Sequence, residues 1–158
     1  MGFISRREFV EMTLAACACA VCPAMSHGET TGTVSAAAAP AGGTDVGDAK
    51  SFTKDGVWDT WASAGFFLVR EKGYLFAVSN VCTHKGGKLV LNPAVPGQIK
   101  CTKHEGFFDN LGNNVSGPPK QKLPRLAIGR NAQGHIIVDA SQKIQFADWG
   151  KAGAYVKL

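Results

Sequence analysis

Thiols are scarce in this chain of 158 residues. Of its five cysteines, Cys17, Cys19 and Cys22 fall within the first 25 residues, so only Cys82 and Cys101 remain for the rest. A scaffold stapled by several disulfides is therefore excluded. Histidine is equally sparse, with His27, His84, His104 and His135 making up all four. No sustained helical period follows the first 25 residues, which argues against a helical bundle. The apolar run from Met12 to Met25 is shorter than the ~20 residues that a membrane-spanning helix needs. The net charge of +5 is modest, and no nucleic-acid-binding module accompanies it.

What the chain does contain is two short arms, each carrying one thiol and one imidazole: Cys82-Thr83-His84 and Cys101-Thr102-Lys103-His104. Sixteen residues separate them, giving the pattern C-x-H-x16-C-x-x-H. An arm offering both sulfur and nitrogen can reach two metals at once, so two such arms can clamp a dinuclear centre from two sides. Gly86-Gly87 after the first arm and Gly106 after the second remove Cβ atoms where the chain must bend close to a bound group. The same residue types also suit a structural zinc ion. Ordinary zinc sites, however, pair Cys with Cys and His with His along the sequence, and this chain alternates them.

The pattern closely resembles the ligand signature of Rieske iron–sulfur proteins. The resemblance runs from about Val57 to Asp139 and includes Phe108-Asp109, the turn at Gly112, and Gly117-Pro118-Pro119 followed by Leu123-Pro124. It implies an all-β domain of stacked antiparallel sheets, with two cluster-binding loops and a Pro loop at one tip. It also implies one [2Fe–2S] cluster per chain, with Cys82 and Cys101 on one iron and His84 and His104 on the other. Rieske oxygenases add a second domain with a mononuclear iron held by two His and a carboxylate. This chain has neither the spare histidines nor the length for one, so the resemblance implies an electron carrier without its own substrate site.

Departures from the family are informative. Rieske subunits of quinol-oxidising bc complexes carry an extra, disulfide-linked Cys in each loop, where this chain has Gly87 and Lys103. They also carry a Ser and a Tyr that hydrogen-bond the cluster sulfurs, where this chain has Gly106 and Phe108. Oxygenase-type domains often have Trp at the Gly106 position. The resemblance therefore points to the disulfide-free, ferredoxin-like branch. Rieske potentials span about −150 to +300 mV, and missing sulfur donors place this centre in the lower half.

At the N-terminus, Ser5-Arg6-Arg7-Glu8-Phe9-Val10 resembles the twin-arginine export motif. Residues 1–25 then read as a bacterial signal peptide, with a basic start, a short apolar middle and small residues near a cut. Cleavage near Ala20 or Ser26, lipidation at Cys17 and retention as a weak anchor all stay open. Residues 26–50, rich in Ala, Gly, Thr and Ser, lack aromatics and periodicity and read as a flexible linker.

Residues 51–158 remain for the domain. Phe66–Arg70 with Tyr74–Val78, and Leu126–Arg130 with His135–Asp139, are apolar β-rich runs split by short polar turns, the mark of two hairpins. Leu89–Leu91 and Gln98–Lys100 read as short strands between the arms. Trp58, Trp61 and Trp149 read as core or edge packing, and His135 as a structural or solvated residue.

Lys85, Lys88, Lys103, Lys120 and Lys122 fall in or beside the arms and the Pro loop. They mark a docking face for an acidic redox partner. The expected function is that of a periplasmic electron-transfer protein with a [2Fe–2S] cluster. A quinol-oxidising bc-type subunit, possible through the N-terminal segment in a membrane complex, is one alternative. An electron-delivery subunit of a periplasmic oxidoreductase is another, and a zinc-binding structural module is the non-redox one.

Overall fold

The computed structural model describes residues 38–158. The expected leader, 1–25, and linker residues 26–37 lie outside the described residues. Eleven strands follow in order: β1 Thr44–Asp48, β2 Gly56–Trp58, β3 Phe66–Glu71, β4 Tyr74–Ser79, β5 Leu89–Leu91, β6 Ile99–Cys101, β7 Phe107–Phe108, β8 Asn114–Ser116, β9 Arg125–Arg130, β10 His135–Ile144 and β11 Val156–Lys157. Only three single-turn 3-10 helices interrupt them among the described residues.

The hairpin β3–β4 organises the molecule. Its turn places Lys72 at φ 51° and Gly73 at φ 80°, the paired left-handed conformation that matches strand twist in a two-residue turn. Successive side chains of a strand point to opposite faces. Here both faces are buried. Phe66, Leu68, Leu75 and Ala77 enter one core with Val46, Phe52, Leu126, Ile128, Ile136, Val138 and Val156. Phe67, Val69, Phe76 and Val78 enter a second core with Leu89, Ile99, Phe108, Leu123 and both Cys82 and Cys101. One hairpin is thus a wall shared by two cores, which explains its unbroken apolar sequence.

The larger sheet has the order β1-β10-β9-β4-β3-β2, with β11 added on β4. The smaller has the order β5-β6-β7-β8 and lies in the chain between β4 and β9. All strand pairs are antiparallel. The two expected hairpins and the short strands between the arms are present, and the architecture is all-β as expected. His135 opens β10, and its Nδ1 lies 2.8 Å from Asp45 Oδ2.

One expectation needs correction. The stretch read as linker, 26–50, contains strand β1, which pairs with β10 from Thr44↔Val138 to Asp48↔His135. An edge strand draws its hydrogen bonds from its neighbour and needs few inward side chains. Val46 is the only one buried in this strand. Gly47, at φ 100°, absorbs a bulge in the register. Thr-Asp-Val-Gly-Asp therefore looks like linker by composition while behaving as strand.

Candidate metal centre

The arms leave the second core at its edge. Cys82 follows β4 by three residues, and Cys101 is the last residue of β6. Each arm closes on itself through its cysteine. Cys82 N–H donates to the Gly87 carbonyl at 2.8 Å, and Cys101 N–H donates to the Gly106 carbonyl at 2.8 Å. Thr102 joins one arm to the other, donating from both N and Oγ1 to the Lys88 carbonyl at 3.0 Å. Thr83 Oγ1 donates to the Gln121 carbonyl at 2.9 Å and ties the first arm to the Pro loop. A threonine directly after each cysteine is thus a sequence signal for how the arms are fastened.

Three elements meet at the tip. A Cβ on Gly106 would fall 2.5 Å from Pro119 Cγ, so the buried Pro119 ring sits directly on that glycine. Gly117 carries φ 87°, and a Cβ there would meet the Glu105 carbonyl oxygen at 2.5 Å. The Pro loop therefore packs backbone to backbone against the second arm. A Cβ on Gly87 would lie 3.0 Å from Cys101 Sγ and 3.4 Å from Lys103 Cβ. The Gly87–Lys103 spacing is close to the ~3.5–4.5 Å between Cβ atoms of a disulfide. The arms are thus held at disulfide distance with no thiol at either position.

The four candidate ligands come together as two like pairs. Cys82 and Cys101 are buried and unoxidised, and their sulfurs hydrogen-bond one another. Burial pushes the Cys82 thiol up. Burial also works against ionisation of Cys101, yet N–H groups of Lys103, His104 and Gly106, with the Cys82 thiol, pull it below its ordinary value. The backbone donors of His84 and Lys85 aim likewise at Cys82. These N–H groups are functional atoms that residue types alone do not reveal.

The imidazoles form the second pair. His84 and His104 lie with ring centroids 5.0 Å apart and planes at 80°. Burial, then His104 and Lys85, hold the His84 imidazole pKa below its ordinary value. The Nδ1 atoms of both histidines are buried and have no hydrogen-bond partner. A buried nitrogen without a partner is costly, and two side by side call for a shared occupant.

That arrangement fits a dinuclear group. Sulfur with sulfur inside, and nitrogen with nitrogen outside, is the division that two bridged irons require. Lys85, Lys88, Lys103 and Lys120 are exposed around the arms and Pro loop. Lys122 instead lies 3.5 Å over the Phe146 ring centroid.

A fold of two antiparallel sheets, with a thiol pair and an imidazole pair beside a proline-bearing loop, is the arrangement expected of an iron–sulfur domain. Comparison of the sequence with known families makes that specific. Residues 42–127 match the Rieske [2Fe–2S] domain, more than half of the chain, and the chain belongs to that family. It is therefore a Rieske iron–sulfur protein, and that domain implies one [2Fe–2S] cluster.

Among characterised proteins it is 37% identical over 71 residues to the cytochrome bc1 complex Rieske iron–sulfur subunit of Corynebacterium efficiens, covering 44% of this chain and 17% of that one. It is 36% identical over 75 residues to the carotenoid phi-ring synthase of Chlorobaculum tepidum, covering 47% of this chain and 11% of that one. The chain thus spans less than a fifth of the length of these relatives. A solved structure, the cyanobacterial plasma membrane Rieske protein of Synechocystis PCC 6803, matches with a TM-score of 0.44 at 24% identity, covering 61% of this chain and 99% of that one.

Proposed function

We propose that this chain is an exported one-electron carrier in which Cys82 and Cys101 hold one iron of the cluster and His84 and His104 hold the other. The observation that carries the ligand assignment is the pair of buried, partnerless Nδ1 atoms beyond a buried thiol pair. When bound, the cluster supplies one-electron redox chemistry. The chain's residues set its environment: backbone N–H groups face the sulfurs, the imidazoles stand at the less buried edge, and Pro119 covers the second arm at Gly106. The exposed Lys85, Lys88, Lys103 and Lys120 steer an acidic redox partner to that edge, an attraction that salt weakens.

Missing side-chain donors favour a low potential. Gly106 has no room for the serine of high-potential relatives, because Pro119 occupies it. Phe108 is fully buried in the core that holds both cysteines and carries no hydroxyl. Phe108→Tyr is expected to raise the potential. One net hydrogen bond of about 0.5–1.5 kcal/mol corresponds to roughly 20–65 mV for a single electron. Protein-film voltammetry of the wild type and the variant tests this. A wild-type value near the top of the Rieske range would overturn the low-potential reading.

A second reading, an iron–sulfur subunit of a quinol-oxidising bc-type complex, draws on the names of the Corynebacterium relatives. A high measured potential would favour it.

The leader supports export. Arg6 and Arg7 stand where the twin-arginine motif requires them, and this route carries proteins already folded around their cofactors. The proposed organisation is a leader over residues 1–25, a linker that ends before β1, and then the Rieske domain, with the mature protein in the periplasm. Among the described residues no helix is long and apolar enough to cross a membrane. Arg6→Lys combined with Arg7→Lys is expected to leave the cluster-loaded protein in the cytoplasm. Immunoblotting of cell fractions checks this, and an unchanged periplasmic yield would refute twin-arginine export.

A further inference from the structure

The four proposed ligands are divided between two arms, 82–88 and 101–106, so the site exists only while the arms keep their spacing. Each arm fixes its own shape. Gly86 N–H donates to the Cys82 carbonyl at 3.0 Å, and the Cys82 and Cys101 N–H groups close their loops on Gly87 and Gly106. None of these bonds sets where one arm stands relative to the other. That is set by strands β5 and β6, whose pairing ends at Leu89↔Cys101. Hydrogen-bonded elements open first at their ends. Here the end of the ladder is the metal centre itself, with Cys101 in the last pair and His104 three residues beyond it.

Thr102 stands at that end. Its N–H donates to the Lys88 carbonyl at 3.0 Å, which adds one rung to the ladder, and its Oγ1 donates to the same oxygen at 3.0 Å. A carbonyl oxygen has two lone pairs and can accept both bonds. The β-branched side chain has few χ1 rotamers, so its hydroxyl is held in place at little cost in freedom. Apart from the contact between the two thiols, these are the only hydrogen bonds that pass between 82–88 and 101–106 among the described residues. Thr83, which follows the other cysteine, donates instead to Gln121. Gly87 and Lys103 face each other across the gap, at 3.4 Å from a Cβ on Gly87 to Lys103 Cβ, and offer no bond.

We propose that Thr102 is a positioning residue whose hydroxyl doubles the last rung between the arms. It keeps Cys101 and His104 in register with Cys82 and His84, the task that a covalent link between the arms would perform. The proposal rests on the ligand assignment above. Thr102 itself makes no contact with the cluster, because its hydroxyl is engaged by the Lys88 carbonyl. Opening of this rung is the slow step by which the centre releases its iron.

The test is iron release from the full-length, cluster-loaded protein to excess EDTA, followed by the loss of visible absorbance. Chelator is raised until the rate no longer depends on it and reports opening of the site. Thr102→Val keeps the β-branched shape and the backbone N–H and removes only the hydroxyl. It should release iron about threefold faster or more, within the range for one net hydrogen bond. Thr102→Ala should agree with it, and Thr102→Ser, which keeps the hydroxyl, should restore the wild-type rate. The reduction potential, measured by protein-film voltammetry, should match the wild type in all three, since no donor to sulfur is removed. Wild-type release rates in Thr102→Val and Thr102→Ala, release from Thr102→Ser as fast as from Thr102→Val, or a shifted potential accompanying faster release would each overturn the proposal. Thr102→Ala keeps the test decisive if Thr102→Val fails to fold. Two irons retained in Cys101→Ala would instead refute the ligand assignment, so the two failures are told apart.

Discussion

Cys101→Ala is expected to yield a folded but colourless protein. With two protein donors assigned to each iron, removing one thiolate leaves that iron with a single protein donor. The remaining sulfur, Cys82, would lose the partner that its own thiol bonds in the metal-free state. Iron content should fall from two per chain to near zero, and the visible absorption and the EPR signal of the reduced cluster should vanish. Cys82→Ala, His84→Ala and His104→Ala should behave alike. The larger sheet should survive, because the first core contains none of the four residues. Far-ultraviolet circular dichroism would then retain its β signal. Two irons and a native spectrum in Cys101→Ala would sink the ligand assignment.

The second large effect should come from a residue that binds nothing. Gly117→Ala forces an L side chain into a left-handed backbone conformation, which costs about 1–2 kcal/mol. The new methyl would also lie 2.5 Å from the Glu105 carbonyl oxygen. Overpacking of this kind costs about 1–3 kcal/mol, and the obstacle here is backbone, which cannot rotate aside. The Pro loop should lift from the second arm and admit solvent to the centre. Cluster bleaching followed by absorbance during heating should begin about 10 °C or more below the wild type, taking a few degrees per kcal/mol. An unchanged bleaching temperature would mean that the Pro loop does not protect the cluster.

Much of this was legible before any coordinates. The two apolar runs around Glu71-Lys72-Gly73 announced their hairpin, because turn residues and strand residues differ sharply in chemistry. The alternating thiols and imidazoles mark the proposed centre. Strand β1 was hidden because an edge strand with one buried valine leaves almost no hydrophobic trace. The role of Gly106 was hidden for a different reason. Its sequence shows only a missing donor, while the structure shows Pro119 in the space where a side chain would go. A serine there would displace the loop before it could bond a sulfur. Glu105, at φ 51°, is another silent position, since nothing in a glutamate's chemistry announces a left-handed backbone.

The burial of the thiol pair behind the imidazole pair has a kinetic consequence. Cys82 and Cys101 are 3% and 1% exposed, while both histidines are only half-buried. With the ligands assigned as proposed, the histidine edge is the more exposed side of the centre, and a donor and an acceptor that both approached there would use it in turn. Two partners could then not be served at once, and the proposed carrier would work as a shuttle that leaves one before meeting the next. Turnover is then paced by how quickly each encounter breaks, and excess of either partner should inhibit competitively against the other in steady-state kinetics. Tight binding would slow such a protein, and the proposed docking face of exposed, salt-screened lysines would suit brief encounters.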